Sequence, residues 1–326
     1  MSGPVEAGAP HVVALGGGHG LANTLSAVSR YAGKVTAVVS GSDDGGSSGR
    51  LRASWTGPAP GDVRRCLLAL AGRGPEQKLW AQALDYRFSG GEMEGHSLGN
   101  LILVALGQTT GDFVAATAHV ARLLGASATV LPATSVATEL CAELGPRGDG
   151  PGEITGQVNV AHTPAPIRRV WLRPADPPAT PEALEAIRSA DQVVLGPGSL
   201  FTSVLAVCAV PGVRRALAAR DGGRVYVCNL GPQEPETSGF DADDHLVALA
   251  EHGVVVDTVV CDPSTPAGTP SPGPAGVCAH GGIEELAAAL ANPDGHSHDP
   301  GRLAAVLEAL ARAPHARGRA STFARG

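Results

Sequence analysis

Short apolar runs recur along this chain, and glycine-rich turns close several of them. His11–Leu15, Val35–Val39, Gln192–Leu195, Arg224–Asn229 and Val255–Cys261 read as buried strands. Between them the period becomes helical: Leu21, Leu25 and Val28 stand at i, i+4 and i+7. Further helices are predicted from Asp62 to about Ala71, and over Pro75–Tyr86, Ser97–Leu106, Phe113–Leu124, a stretch ending near Ala190, Ser199–Cys208 and Asp241–His252. Strands alternating with helices call for a parallel sheet. One stretch departs from this order. Val136, Thr138, Leu140, Ala142 and Leu144 keep a period of two, Glu153–Val160 alternates again, and Ile167–Leu172 adds a third run, which predicts an antiparallel insertion over about 130–172.

The expected fold class is α/β: a Rossmann-like three-layer fold with a mostly parallel sheet and an antiparallel β insertion. Residues 1–10 read as a disordered N-terminus and 11–261 as a nucleotide-binding domain. The Pro-, Gly-, Ser- and Thr-rich stretch 262–282 reads as a flexible loop, 283–313 as two C-terminal helices (Ile283–Leu290 and Arg302–Leu310), and 314–326 as a disordered tail.

Turn chemistry locates the candidate site. After Val39 come Asp43, Asp44, Gly45, Gly46, Ser47 and Ser48, with Arg50 and Arg52 just beyond. Backbone donors in such a loop need partners. Free N–H groups, hydroxyls and guanidinium suit a phosphate, while the two carboxylates suit a ribose, a base edge or a metal ion. A nucleotide offers both kinds of partner. The first strand runs into Gly16, Gly17, Gly18, His19 and Gly20 before its helix, which builds an anion site from first-turn N–H groups. The third glycine of G-x-G-x-x-G would fall at Leu21, so a nicotinamide dehydrogenase is a distant reading. Gly196, Pro197, Gly198, Ser199 and Thr202 repeat the strand–turn–helix logic. Asp62 opens a helix with Arg64 and Arg65 close behind; His96, Ser97 and Asn100 enter another around Gly99. His96 is placed to bind a phosphate or donate a proton, a structural cap being the alternative. Asn229 ends a strand where a base or ribose can be read, with Thr237 and His245 following.

Composition narrows the partners. A net charge of −7 argues against non-specific nucleic-acid binding. Among 24 Lys and Arg residues only Lys34 and Lys78 are lysine, a skew that resembles GC-rich codon usage rather than a basic surface. No apolar run reaches the roughly 18–20 residues that span a bilayer, and the first residues lack a signal-peptide pattern. The six scattered cysteines fit buried thiols in a cytoplasmic protein.

Together the segments Gly16–Leu21, Asp43–Arg52, Pro60–Arg64, Gly95–Leu101, Gly196–Ser203 and Tyr226–Asn229 resemble the YvcK or gluconeogenesis factor family, within the wider group of 2-phospho-L-lactate transferase (CofD). The resemblance implies a Rossmann-like fold that binds nucleotide sugars, notably UDP-N-acetylglucosamine, with no required cofactor. It implies a cytoplasmic role in cell shape and envelope precursor supply during gluconeogenic growth, acting through an amino-sugar biosynthetic enzyme; a homodimer is expected. The sequence departs from the family at Leu230–Thr237 and in Asp262–Gly282, and His19 stands where many relatives have Thr. Two function classes stay open. One is a nucleotide-sugar sensor, favoured because no nucleophile with a neighbouring base is evident. The other is a transferase, in which Asp44 and Asp62 hold Mg²⁺ against a diphosphate and Arg64 or His96 stabilises the leaving group.

Overall fold

The computed structural model describes residues 8–145, 152–265 and 282–313. Its main sheet is parallel throughout and is built from β1 (His11–Gly16), β2 (Lys34–Val39), β3 (Thr129–Pro132), β7 (Gln192–Leu195), β8 (Arg224–Val227), β9 (Thr258–Cys261) and β10 (Glu284–Ala287). A second sheet contains β4 (Glu139–Leu144), β5 (Glu153–Thr155) and β6 (Ile167–Arg173), antiparallel in the order β5-β4-β6.

In the main sheet the order is β10-β9-β8-β7-β1-β2-β3. From β1 the chain moves outward to β2 and β3, then returns to β7 on the other flank and continues outward. The direction therefore reverses between β1 and β7, and in open parallel sheets ligands bind beyond the strand carboxyl ends at such a point. Alternation along each strand feeds two cores. Val13, Leu15, Val38, Leu195 and Tyr226 pack on one face with Phe201 and Leu246. Val12, Ala14, Val39, Val194 and Val227 pack on the other with Leu21, Leu25, Leu67 and Leu103. The helices on the second face include α1 (Gly18–Val28), α3 (Pro60–Ala69), α5 (Leu98–Thr110), α6 (Phe113–Leu123) and α12 (Pro300–Arg312). On the first face lie α8 (Pro181–Ser189), a π-helical turn Leu200–Val204 continued by α9 (Leu205–Cys208), α10 (Pro211–Ala218) and α11 (Ala242–Glu251). Among the described residues no single helix is long and apolar enough to cross a membrane. Cys66, Cys141, Cys208, Cys228 and Cys261 are free and buried.

Several boundaries differ from expectation. Thr129–Pro132 joins the main sheet beside β2, so the antiparallel insertion begins after it rather than at 130. Gln157–His162, expected to continue an alternating strand, forms a short helix, α7, with only Val160 buried. Gly46–Leu51, expected as open loop, winds into α2, whereas Pro75–Asp85 forms the expected helix, α4. The helix expected over Ile283–Leu290 is instead β10: Glu284–Ala287 pairs in register with Thr258–Cys261, and that ladder outweighs local helix propensity. Asp262 is not a flexible-loop residue. It is buried and accepts N–H bonds from Leu290 and Ala291 at 2.7 and 2.8 Å. At the other end, the Pro10 carbonyl accepts the Gly33 N–H, which ties down part of the expected N-terminal disorder. The expectations for 1–7, 266–281 and 314–326 lie outside the described residues.

Candidate functional site

The glycine turn after β1 and the one after β7 touch backbone to backbone. A Cβ on Gly20 would stand 1.9 Å from the Pro197 carbonyl oxygen, so no side chain fits where the two loops cross. Gly17 is the N-cap of α1, and Gly18, His19 and Gly20 are its first turn, with His19 exposed. First-turn N–H groups have no intrahelical acceptor. Gly18 gives its N–H to Asp62 Oδ1 at 3.2 Å, and His19 and Gly20 follow it in the turn after β1, next to the point where the strand order reverses.

Asp62 sits in the first turn of α3, a favourable place for a carboxylate. Its Oδ1 accepts from Arg65 through Nε at 3.2 Å and through Nη2. Its Oδ2 is buried without a hydrogen-bond partner among the described residues. That oxygen and Ser203 Oγ both flank Gly17, at 2.8 and 3.3 Å from where its Cβ would lie. Burial raises the Asp62 pKa and the nearby Asp43 adds to the rise, against the lowering effect of Arg65.

A continuous polar network leaves this point. Arg65 Nη2 is 3.9 Å from Asp43 Oδ2. Asp43 accepts from the Gly45 N–H at 3.0 Å and the Ser48 hydroxyl at 2.9 Å. Asn100 Nδ2 donates to Ser48 Oγ at 3.4 Å, and Arg64 Nε donates to Asn100 Oδ1 at 3.1 Å. Arg64 ends on the Asp85 carboxylate. Its stem crosses α5 at Gly99, where a Cβ would lie 2.8 Å from Arg64 Cδ; close packing is the reason for that helical glycine. Nearby, Ser47 Oγ lies 3.2 Å from His96 Nδ1 and accepts the Ser97 N–H at 3.3 Å. Burial and then Arg50 lower the His96 pKa, which favours the neutral ring. Arg50 is exposed beside Gly95, and Gly46 adopts a positive φ of 44° at the start of α2.

Six expected site elements are engaged by the protein itself. Asp44 was expected to share a metal with Asp62, but its Oδ1 accepts the Val158 N–H at 3.0 Å, capping α7. Asp43 is the carboxylate that shares Arg65 with Asp62. Arg64, expected to meet a leaving group, is buried and committed to Asp85 and Asn100. The turn at Gly196–Thr202, expected to offer free donors, is filled by the protein itself. Glu236 Oε1 accepts the Phe201 and Thr202 N–H groups at 2.7 and 3.0 Å, and Oε2 accepts the Thr202 hydroxyl at 3.1 Å. Asn229 clamps Gly198 from both sides, accepting its N–H at 2.7 Å and donating to its carbonyl at 3.0 Å. Thr237 closes its own turn by accepting the Gln233 N–H at 2.8 Å. His245 is buried against the Tyr226 hydroxyl at 2.6 Å, within the core.

Sequence reasoning placed Arg65 beside Arg64 but gave the role to Arg64, and it missed Glu236. Arg65 carries a signal, because Asp62 and Arg65 at i, i+3 share a helix face while Arg64 at i+2 does not. Glu236 carries none beyond standing next to Thr237.

A model of the family described as "2-phospho-L-lactate transferase CofD" matches residues 12–269. A protein named "Putative gluconeogenesis factor" from Mycobacterium tuberculosis is 44% identical over 306 residues, covering 92% of this chain and 90% of its own length. A "Gluconeogenesis factor" from Halalkalibacterium halodurans is 41% identical over 254 residues, 77% of each chain. The crystal structure of a UPF0052 family member from Bacillus halodurans superposes with a TM-score of 0.81 at 34% identity, covering 92% of this chain and 99% of that one.

Proposed function

This chain belongs to the CofD family, among its gluconeogenesis factors, and from that premise we propose that it is a cytoplasmic nucleotide-sugar-binding regulator. The ligand in this reading is UDP-N-acetylglucosamine or a close analogue. The protein senses envelope precursor supply during gluconeogenic growth, maintains cell shape, and acts as a dimer on an amino-sugar biosynthetic enzyme.

The observation that carries the reading is the first turn of α1. Its donors lie at the reversal point of the sheet, with Arg65 close by for charge and with Asp62 and Asp43 close by for hydroxyls. Hydrogen bonds to a charged group contribute roughly 1.5–3 kcal/mol each. Three or four of them approach the ~8 kcal/mol of a micromolar ligand. Ser47 and His96 are the nearest approach to a nucleophile and base, but among the described residues no third group orients that imidazole, which a nucleophilic site would require.

One observation favours the second class, a Mg²⁺-dependent transferase: the buried, unpartnered Asp62 Oδ2 close to Asp43. Mg²⁺ bound to substrate phosphates needs only one or two carboxylates. In that reading Asp62 and Asp43 would hold the ion, in place of Asp62 and Asp44. Calorimetry against UDP-N-acetylglucosamine, with and without Mg²⁺, separates the two. Metal-independent micromolar binding without turnover is expected; an absolute Mg²⁺ requirement with release of a nucleoside monophosphate overturns the sensor reading.

A further inference from the structure

The helical segment Leu200–Cys208 begins at the reversal point, yet its first N–H groups are not open to a ligand. Glu236, on the segment after β8, reaches back across 34 to 35 residues and accepts three bonds from Phe201 and Thr202. Only 6% of Glu236 is exposed. Two backbone donors and one hydroxyl from adjacent turn positions thus converge on one side chain. That turn in turn bears on the α1 anion site: Pro197 and Gly198 contact Gly20, and Ser203 flanks Gly17 beside Asp62.

We infer that Glu236 is a positioning residue: it fills the helix start at Leu200 and so holds the Pro197–Ser203 turn in place against the first turn of α1. Two consequences separate it from general packing. The carboxylate plane matters more than the charge. Gln can place its carbonyl oxygen on the two backbone N–H groups and its amide on the Thr202 hydroxyl oxygen, which is also an acceptor. Loss of the whole group leaves a hole lined by donors and matched in size to a small carboxylate, which formate can enter from solution.

The inference rests on the nucleotide reading for its binding arm but not for its stability arm. The test uses the full chain as wild type, Glu236→Gln and Glu236→Ala, with UDP as calorimetric probe and thermal melts in sodium formate against sodium chloride of equal ionic strength. Glu236→Ala is expected to weaken UDP by about tenfold or more, Glu236→Gln by about threefold at most. Formate, and not chloride, is expected to raise the melting temperature of Glu236→Ala and restore its UDP affinity, while leaving wild type unchanged. Wild-type UDP affinity in Glu236→Ala overturns the inference, as does an identical response of that variant to formate and chloride. If the wild type binds neither UDP nor UDP-sugars, the functional reading fails alone: a formate-specific rise in melting temperature still supports the Glu236 assignment, and its absence overturns it.

Discussion

Asp43, Asp44 and Asp62 are chemically alike in the sequence, yet the fold gives them three different tasks. Asp62 is held by Gly18 and Arg65, Asp43 by Gly45 and Ser48, and Asp44 by the first turn of α7. The Val158 N–H occupies one Asp44 oxygen, and the Oδ1 of Asn can accept the same bond. Asp44→Asn is therefore expected to cost less than about 1 kcal/mol in urea denaturation, and Asp44→Ala about 1 kcal/mol. Neither is expected to alter a Mg²⁺ titration; a lost Mg²⁺ response in Asp44→Asn would return this residue to a metal site. Arg65 is the contrasting case. Replacing it by Met strips the buried Asp62 of its only cation within salt-bridge distance among the described residues, for an expected loss of about 2–3 kcal/mol. The same unfolding curves check that value.

At the scale of elements, the site depends on two strand–turn–helix units in direct backbone contact. Gly20 is the crossing point. Gly20→Ala would force a methyl group onto the Pro197 carbonyl, and backbone cannot move aside as a flexible side chain can. A loss of about 1–3 kcal/mol is expected, together with weaker nucleotide binding as the turns separate. Gly18→Ala is the control. Its Cβ meets nothing within 4 Å, but its φ of 59° carries a left-handed penalty of about 1–2 kcal/mol. Equal destabilisation with equal loss of affinity in both variants would show that the loop contact has no special part in binding. The insertion joins the same assembly from above. Asp44 holds the α7 N-terminus, and Gln157 Nε2 donates to the Thr202 carbonyl at 2.8 Å.

For the whole molecule, buried histidines set the response to acid. Burial lowers the His245 pKa to about 4 from an ordinary value of 6.5. The unfolded chain therefore binds this proton more readily than the folded one between those values. The stability that His245 contributes is complete above pH 6.5 and disappears as pH falls toward 4, by about 3 kcal/mol. Burial lowers His252 and His298 in the same direction. Asp262 extends the loss further: burial raises it, but bonds from Ser264, Ala291 and Leu290 outweigh that and bring it to about 2, so its contribution is lost as pH falls from 3.8 toward 2. The histidines lower the melting temperature as pH falls from 6.5 toward 4, against the buried Asp62 and Glu236 carboxyls, whose burial-raised pKa values favour the folded state in acid. The double variant Tyr226→Phe/His245→Phe removes both partners of a buried pair and should flatten that slope. An unchanged slope would place the acid response elsewhere.

Fold and site were legible in the sequence to different depths. Strand, glycine turn and helix alternate at the backbone's own periods, so the parallel sheet and the edge where the loops gather could be read directly, whereas the strand order that sets the reversal point could not. Arg65 was also readable, through helical spacing. The assignment of donors to acceptors was not. Asp44 turns to Val158, Glu236 to Phe201, and Asn229 to Gly198, across 114, 35 and 31 residues respectively. Local periodicity carries no information about such separations. Ile283–Leu290 makes the same point for an element, since an open strand edge at β9 outweighed its helix-forming residues. Residue order determined which groups are present at the loop-bearing edge of the sheet; only the packed structure decided which of them remain free, because a buried donor or acceptor must be matched by whatever the tertiary fold brings beside it.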